Sequence, residues 1–155
     1  MSDESLPAGE IRDITIGNAV NGTSRRIDHR NHQPPSFMSL PANLVTIHPY
    51  FKVHPGKEQQ VAAVQEKFVT KTRSEPKCLF YEFTSLDDTV FCREGYEGAE
   101  GVMEHLGNIG EILDEMLTVA DLTRLEFHGP AAEIDQLRGP LGHLNAAWFT
   151  RRCGI

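Results

Sequence analysis

Between residues 91 and 106 the chain reads FCREGYEGAEGVMEHL, and three of its side chains are of kinds that move protons: Glu94, Tyr96 and His105. A neutral imidazole can take a proton from an acidic hydroxyl or hold a carbonyl oxygen. A carboxylate beside it can orient the ring, as a further group fixes the base in nucleophilic catalysis. Glu94 and Tyr96 are two residues apart, so on a strand they share a face. His105 lies on the helical segment that follows, at the border of its apolar stripe. The catalytic candidates are therefore His105, as proton acceptor or donor, and Glu94, as the group that orients it. The opposing reading makes His105 a core-edge histidine satisfied by a backbone carbonyl. Glu94 would then be a structural carboxylate tied to Arg93, Arg73 or a helix terminus.

A second set of residues suits binding. His48 and Tyr50 share one face of the segment NLVTIHPYFKV, and Tyr81 can approach them from CLFYEFT. Rings and a histidine around a cavity fit an aromatic substrate, and Tyr96 and Trp148 join them as pocket candidates. Dimer packing would use His48 and Tyr50 equally well, and Trp148-Phe149 could plug a groove. The histidines form no HxH or HxxxH pair, and Cys78, Cys92 and Cys153 form no CxxC, so no metal site is expected. No GxGxxG follows a strand, and no bound cofactor is expected either.

The elements that must carry these residues are legible as periodicities. Residues 43–53 alternate as a strand, with Val45, Ile47, Phe51 and Val53 on one face. After a turn at HPGK, Val61, Val64 and Phe68 mark a helix over 58–73. Pro76 ends it, because the residue before a proline disfavours helix. Strands follow at 78–84 and 89–96, joined as a hairpin. A helix over about 98–118 buries Val102, Leu106, Ile109, Leu113 and Met116, with Gly107 and Gly110 as places where it can bend or divide. A fourth strand is expected at 122–128, a short helix at 130–138 and a last short strand at 146–152. The order β-α-β-β-α-β is the ferredoxin-like split βαβ of an α+β protein. Its helices cover one sheet face; the other is mixed in polarity, and a dimer that packs two such faces together would enclose a cavity, a route to a ligand site, although the same pattern suits a plain dimer interface.

Composition narrows the classes. The 155 residues carry 15 basic against 22 acidic side chains, a formal net charge of -7, which argues against nucleic acid or an anionic membrane as partner. No apolar run reaches a membrane-spanning length, and the acidic start MSDESLPAGE is unlike a signal peptide. With an odd, dispersed set of cysteines this predicts a cytoplasmic protein. Residues 1–42, rich in Asn, Pro, Ser, Arg and His, read as a disordered or partner-draped tail, with one short strand pattern at 11–17. The globular domain is 43–155. The NGT at 21–23 is a glycosylation sequon by spelling only.

Three stretches together, VTIHPYFKVHPGKEQQVAAVQEKF, TRSEPKCLFYEF and CREGYEGAEGVMEHL, resemble the antibiotic biosynthesis monooxygenase domain. The marks are Pro55-Gly56-Lys57, Thr72-Arg73, Glu75-Pro76, Tyr81, Glu94, Tyr96 and His105-Leu106, spread over about 44–128. Lys77 replaces the usual glycine after Glu-Pro, and the last 25 or so residues extend beyond the minimal domain. The resemblance implies a dimeric α+β barrel. It also implies a range of activities, among them cofactor-free oxygenation of quinols and polycyclic phenols. The haem-degrading members pair the helix histidine with a first-strand Asn and a nearby Trp; here His48 and Tyr50 stand on that strand and the single Trp148 is near the C-terminus. Two functions follow as expectations: a cofactor-independent monooxygenase of a small aromatic, with His105 in a closed apolar cavity, or a non-catalytic dimeric ligand-binding or assembly module, with His105 turned away from any cavity.

Overall fold

Strand β1 (Leu44–Val53) runs through the sheet's interior, and its side chains alternate between two environments. Val45, Ile47, Phe51 and Val53 are buried beneath helices, while Thr46, His48 and Tyr50 point to the opposite face and are half-buried. Pro49 has no N–H to give to a ladder, which normally confines proline to edges or irregularities. Here the pairing with the fourth strand shifts register one residue later, between Tyr50 and Phe51. The computed structural model describes residues 40–154. The tail expected at 1–42, with its strand pattern at 11–17 and its sequon, lies outside them except for 40–42.

Gly56, at φ 77°, makes the turn into α1 (Glu58–Thr72), which buries Val61, Val64, Phe68 and Thr72. Strands β2 (Cys78–Leu86) and β3 (Thr89–Glu97) form the expected hairpin. Its turn is tighter than the pattern SLDD suggested: only Asp87 and Asp88 separate the strands, and Asp87 adopts φ 51°, a conformation that aspartate tolerates better than most. Helix α2 (Gly98–Leu117) is a single undivided helix, since a methyl on Gly107 or Gly110 would meet open space and neither glycine is a packing break. Strand β4 (Ala120–Gly129), helix α3 (Ala131–Leu141) and strand β5 (Ala147–Thr150) complete the chain.

The sheet order is β2-β3-β1-β4-β5, with the first four strands antiparallel and β5 parallel to β4. This is the ferredoxin-like α+β fold with one added edge strand. The core lies on one side of the sheet in two clusters. One joins α1, the lower half of α2 and Phe51; the other joins α3, the upper half of α2, Val45, Tyr96 and Phe127. Leu106 packs against both, so its neighbour His105 stands at the seam between them.

Candidate active site

The site begins with how α2 is anchored. Gly98 takes φ 71° where β3 turns into the helix, and Glu133 of α3 accepts a hydrogen bond from the Ala99 amide at 2.7 Å. A carboxylate at a helix N-terminus satisfies an otherwise unpaired amide and suits the helix dipole. That anchor sets the phase of α2 and turns His105 into the core, where its side chain is 1% exposed.

Both imidazole nitrogens meet a carboxylate. Nε2 is 3.0 Å from Glu94 Oε2 on β3, and Nδ1 is 2.9 Å from Glu75 Oε2, in the bend before β2. The flanking carboxylates are nearly as buried, with side-chain exposures of 5% for Glu94 and 10% for Glu75. Asn108, one turn after His105, donates to Glu75 Oε1 at 2.6 Å, and the Tyr96 hydroxyl donates to Glu94 Oε2. The Tyr96 ring centroid lies 4.7 Å from that of His105, and the Tyr81 centroid 5.6 Å away. Burial works against a charged imidazole, but the hydrogen bond and charge of Glu94, then those of Glu75, outweigh it and hold His105 above the ordinary histidine range. The unit thus favours a protonated imidazole flanked by two carboxyl groups. Burial first, then the charge of Glu94, raises the pKa values of Tyr81 and Tyr96, which stay neutral hydroxyls.

Glu94 and His105 border a partly enclosed, almost wholly apolar cavity of about 80 Å³. Tyr81, Phe83, Ile109, Leu125 and Phe127 are among its walls, and Cys92 adds a thiol that burial keeps protonated. Leu144, from the segment beyond the minimal domain, also reaches this cavity. Chemically, this is a dry chamber with one anionic, hydrogen-bond-accepting corner. It can take a proton from a neutral hydroxyl and compensate the charge through His105. With both ring nitrogens engaged, His105 has no lone pair for a metal, and among the described residues no His, Cys, Asp or Glu cluster is arranged to hold one.

Of the residues singled out in the sequence, Glu94, Tyr96, His105 and Tyr81 come together here. His48 and Tyr50 do not. Strand alternation puts them on the opposite sheet face, where His48 stacks on Phe91 at 5.7 Å and Tyr50 lies 4.7 Å from the same ring. The expected approach of Tyr81 to them is therefore corrected: Tyr81 faces the helices. Trp148 stacks on Phe127 at 4.6 Å, behind the cavity wall and not among its lining residues. Glu94 is tied to His105 and Tyr96, while Arg93 points the other way and pairs with Glu82 at 2.5 Å. Sequence reasoning missed Glu75 and Asn108 as parts of this unit. The spacing of Asn108 three residues after His105 on one helix face was the available signal.

No family profile matches the chain, and no curated protein matches it. Solved structures do. MupZ from Pseudomonas fluorescens shares 34% identity over 73% of this chain and 93% of its own, with a TM-score of 0.71. A Caulobacter crescentus CB15 protein named "putative antibiotic biosynthesis monooxygenase" superposes with a TM-score of 0.52 at 19% identity, over 56% of this chain and 88% of its own. A Bacteroides thetaiotaomicron protein named "possible oxidoreductase" gives 0.51 at 13%, over 56% of this chain and 97% of its own. At those lower identities the likeness is one of fold. The class is a ferredoxin-like α+β domain of the antibiotic biosynthesis monooxygenase type. The chain shares that fold, and it belongs to one family with MupZ, a relative that matches it over most of both lengths.

Proposed function

We propose that the protein is a cofactor-independent oxidoreductase of the monooxygenase kind, acting on a small electron-rich phenol or quinol in the cavity. The observation that carries this reading is the Glu75–His105–Glu94 unit opening onto an apolar chamber. Glu94 Oε2 is occupied by His105 and Tyr96, and among the described residues no hydrogen bond engages Oε1. Oε1 is then the atom that accepts the substrate's hydroxyl proton, which shifts the contact with substrate from His105 to Glu94. The resulting phenolate is itself the reductant. It passes an electron to dioxygen, the radical pair combines at a ring carbon, and loss of water leaves a quinone. One oxygen atom stays in the product and the other leaves as water, so no further reductant is required. The dry walls keep the phenolate reactive and shield the radical pair.

The chamber's size refines the substrate. A cavity of ~150 Å³ is known to hold benzene; at about 80 Å³ this one needs modest widening for a single ring and a larger rearrangement for a polycycle. Single-ring phenols and quinols are accordingly favoured over the polycyclic ones. The reading includes a homodimer, formed through the sheet face that carries His48, Tyr50, Phe91, His128 and Phe149, and a cytoplasmic setting in keeping with the free thiols of Cys78, Cys92 and Cys153. Among the described residues no helix is long and apolar enough to cross a membrane.

Oxygen uptake with a panel of single-ring and polycyclic phenols, beside Glu94→Gln and His105→Ala, tests the proposal. Uptake on single rings that both variants abolish is expected. A folded wild-type protein that consumes no oxygen with any of them would leave the non-catalytic binding module as the better account.

A further inference from the structure

The two carboxylates that hold His105 face different spaces. Glu94 borders the partly enclosed apolar cavity, whereas Glu75 borders a more open groove between the end of α1 and the start of β2. That groove is lined by Thr72, Arg73, Glu75, Cys78 and Phe80, and by one edge of Tyr81. Thr72 contributes a hydroxyl that is buried and has no hydrogen-bond partner among the described residues. His105 spans the wall between the two spaces, with Nε2 toward the cavity and Nδ1 toward the groove. Asn108 also holds the Glu75 carboxylate, donating to Oε1, the oxygen that lies 3.1 Å from His105 Nδ1.

We propose that Glu75 is the exit of a proton relay that connects the apolar cavity to solvent in the groove through His105. The inference rests on the acid–base reading of Glu94. A largely apolar chamber offers little water to share a charge, so once Glu94 is neutralised the imidazolium's excess charge has to leave by another path. When substrate's O–H bond breaks, its proton goes to Glu94 Oε1 and the Glu94 carboxylate is neutralised. The imidazolium has then lost one of its two counter-charges. Its Nδ1–H bond breaks, that proton passes to Glu75, and Glu75 releases it to water in the groove. The site's net charge is unchanged: a neutral Glu94 and neutral imidazole replace a carboxylate and imidazolium. One proton leaves for each phenolate formed. The cycle closes when the peroxide anion formed on the ring takes the proton from Glu94 and loses water, and another proton enters through Glu75 to Nδ1. Glu75 does not touch substrate and acts only through His105.

The test uses a nitrophenol as probe, because its phenolate absorbs in the visible, with a pH indicator in weakly buffered solution and stopped-flow detection. In the wild-type protein, phenolate formation and release of one proton to the indicator are expected to coincide. Glu75→Gln can accept the Nδ1 hydrogen bond but cannot carry the proton. It should form phenolate while releasing protons more slowly, on the order of a hundredfold. A small diffusible base such as imidazole should restore the release, an effect that a merely structural role of Glu75 would not produce. If Glu75→Gln fails to fold, Glu75→Asp keeps the charge and shortens the reach, and it should slow release by a larger factor than it slows phenolate formation. Release as fast as wild type in the folded variant overturns the relay and leaves the acid–base reading intact. Absence of phenolate in the wild-type protein overturns that reading, and the relay with it.

Discussion

The two faces of the central sheet both carry histidines, and they treat them in opposite ways. On the helix side, His105 of α2 is buried, with a carboxylate at each ring nitrogen that raises its pKa. On the open side, His48 lies in a row of rings, stacked on Phe91 and meeting His128 edge-on at 4.8 Å, while His128 stacks on Phe149 at 4.4 Å. Burial there lowers the pKa of His48, His128 and Arg93 lower it further, and Glu126 offsets them only in part. The same residue type on the two sides of one sheet is thus held toward the charged form in one place and serves as an aromatic ring in the other. What decides is the supply of counter-charge: two buried carboxylates converge on His105, while His48 has one Glu126 shared with Arg124 and His128. The helix side is built around a charge; the open side is a stacking surface.

The contrast should be largest in stability. His105→Ala leaves Glu75 and Glu94 facing each other without a counter-charge, and removing one partner from a buried ion pair costs about 3–5 kcal/mol. His48→Ala on the open face should cost about 1 kcal/mol or less. Urea unfolding of both variants measures the gap. Equal midpoints would break the comparison, because the helix-side unit would then hold no more energy than a surface stack.

An intermediate effect is expected at Gly95, where the open face is less forgiving than its exposure suggests. A methyl placed there would run into the Phe80 ring, which is itself covered by the Arg93 guanidinium at 5.9 Å. Gly95→Ala should cost about 1–3 kcal/mol by overpacking. The double variant with Phe80→Ala should recover much of that, since neighbouring sites couple. A Gly95→Ala protein as stable as wild type would show that the ring can swing clear and that the open face is freely adaptable.

The next effect is in pH. His105 has its folded-state pKa raised above the ordinary value of 6.5. Its contribution to stability is complete below that value and is lost as pH rises through the folded pKa. The stability difference between wild type and His105→Ala should therefore shrink on going from pH 6.5 upward into the alkaline range, as followed by thermal melts. A difference that grows with pH would mean that the ring is neutral in the folded state, and the carboxylate–imidazolium–carboxylate description would fail.

How much of this was legible beforehand divides along the same two faces. Alternation in β1 and the stripe on α2 placed every main element within a few residues, because periods of two and three to four survive any tertiary context. The junction FCREGYEGAEGVMEHL pointed to Glu94, Tyr96 and His105 because they are close in sequence. Glu75 was hidden because its link to His105 spans thirty residues and depends on where the chain bends before β2. His48 and Tyr50 misled for a different reason. Alternation assigned them correctly to the face opposite Val45 and Ile47, but it could not say which face Tyr81 shared. The β-irregularity between Cys78 and Phe80 sets that phase, and no residue pattern in CLFYEFT announces it.

The smallest expected effect sharpens the comparison from the open side. His48 has its folded-state pKa below 6.5, so the folded protein favours the neutral ring. Its protonation destabilises the fold as pH falls through 6.5 toward the folded value, the reverse of His105. His48→Phe keeps the stack on Phe91 and removes the titrating group. It should change stability by a few tenths of a kcal/mol near neutrality, as half-exposed substitutions do, and flatten the acid limb of the thermal-stability profile relative to wild type. If two copies meet through this face, burial of His48 deepens, and the difference between wild type and His48→Phe in acid should grow with protein concentration. Sedimentation at two concentrations and two pH values reads this directly. An acid limb that is identical in the two proteins at every concentration would mean that His48 is solvated in both states. The open face would then lose its claim to being a buried stacking surface of any kind.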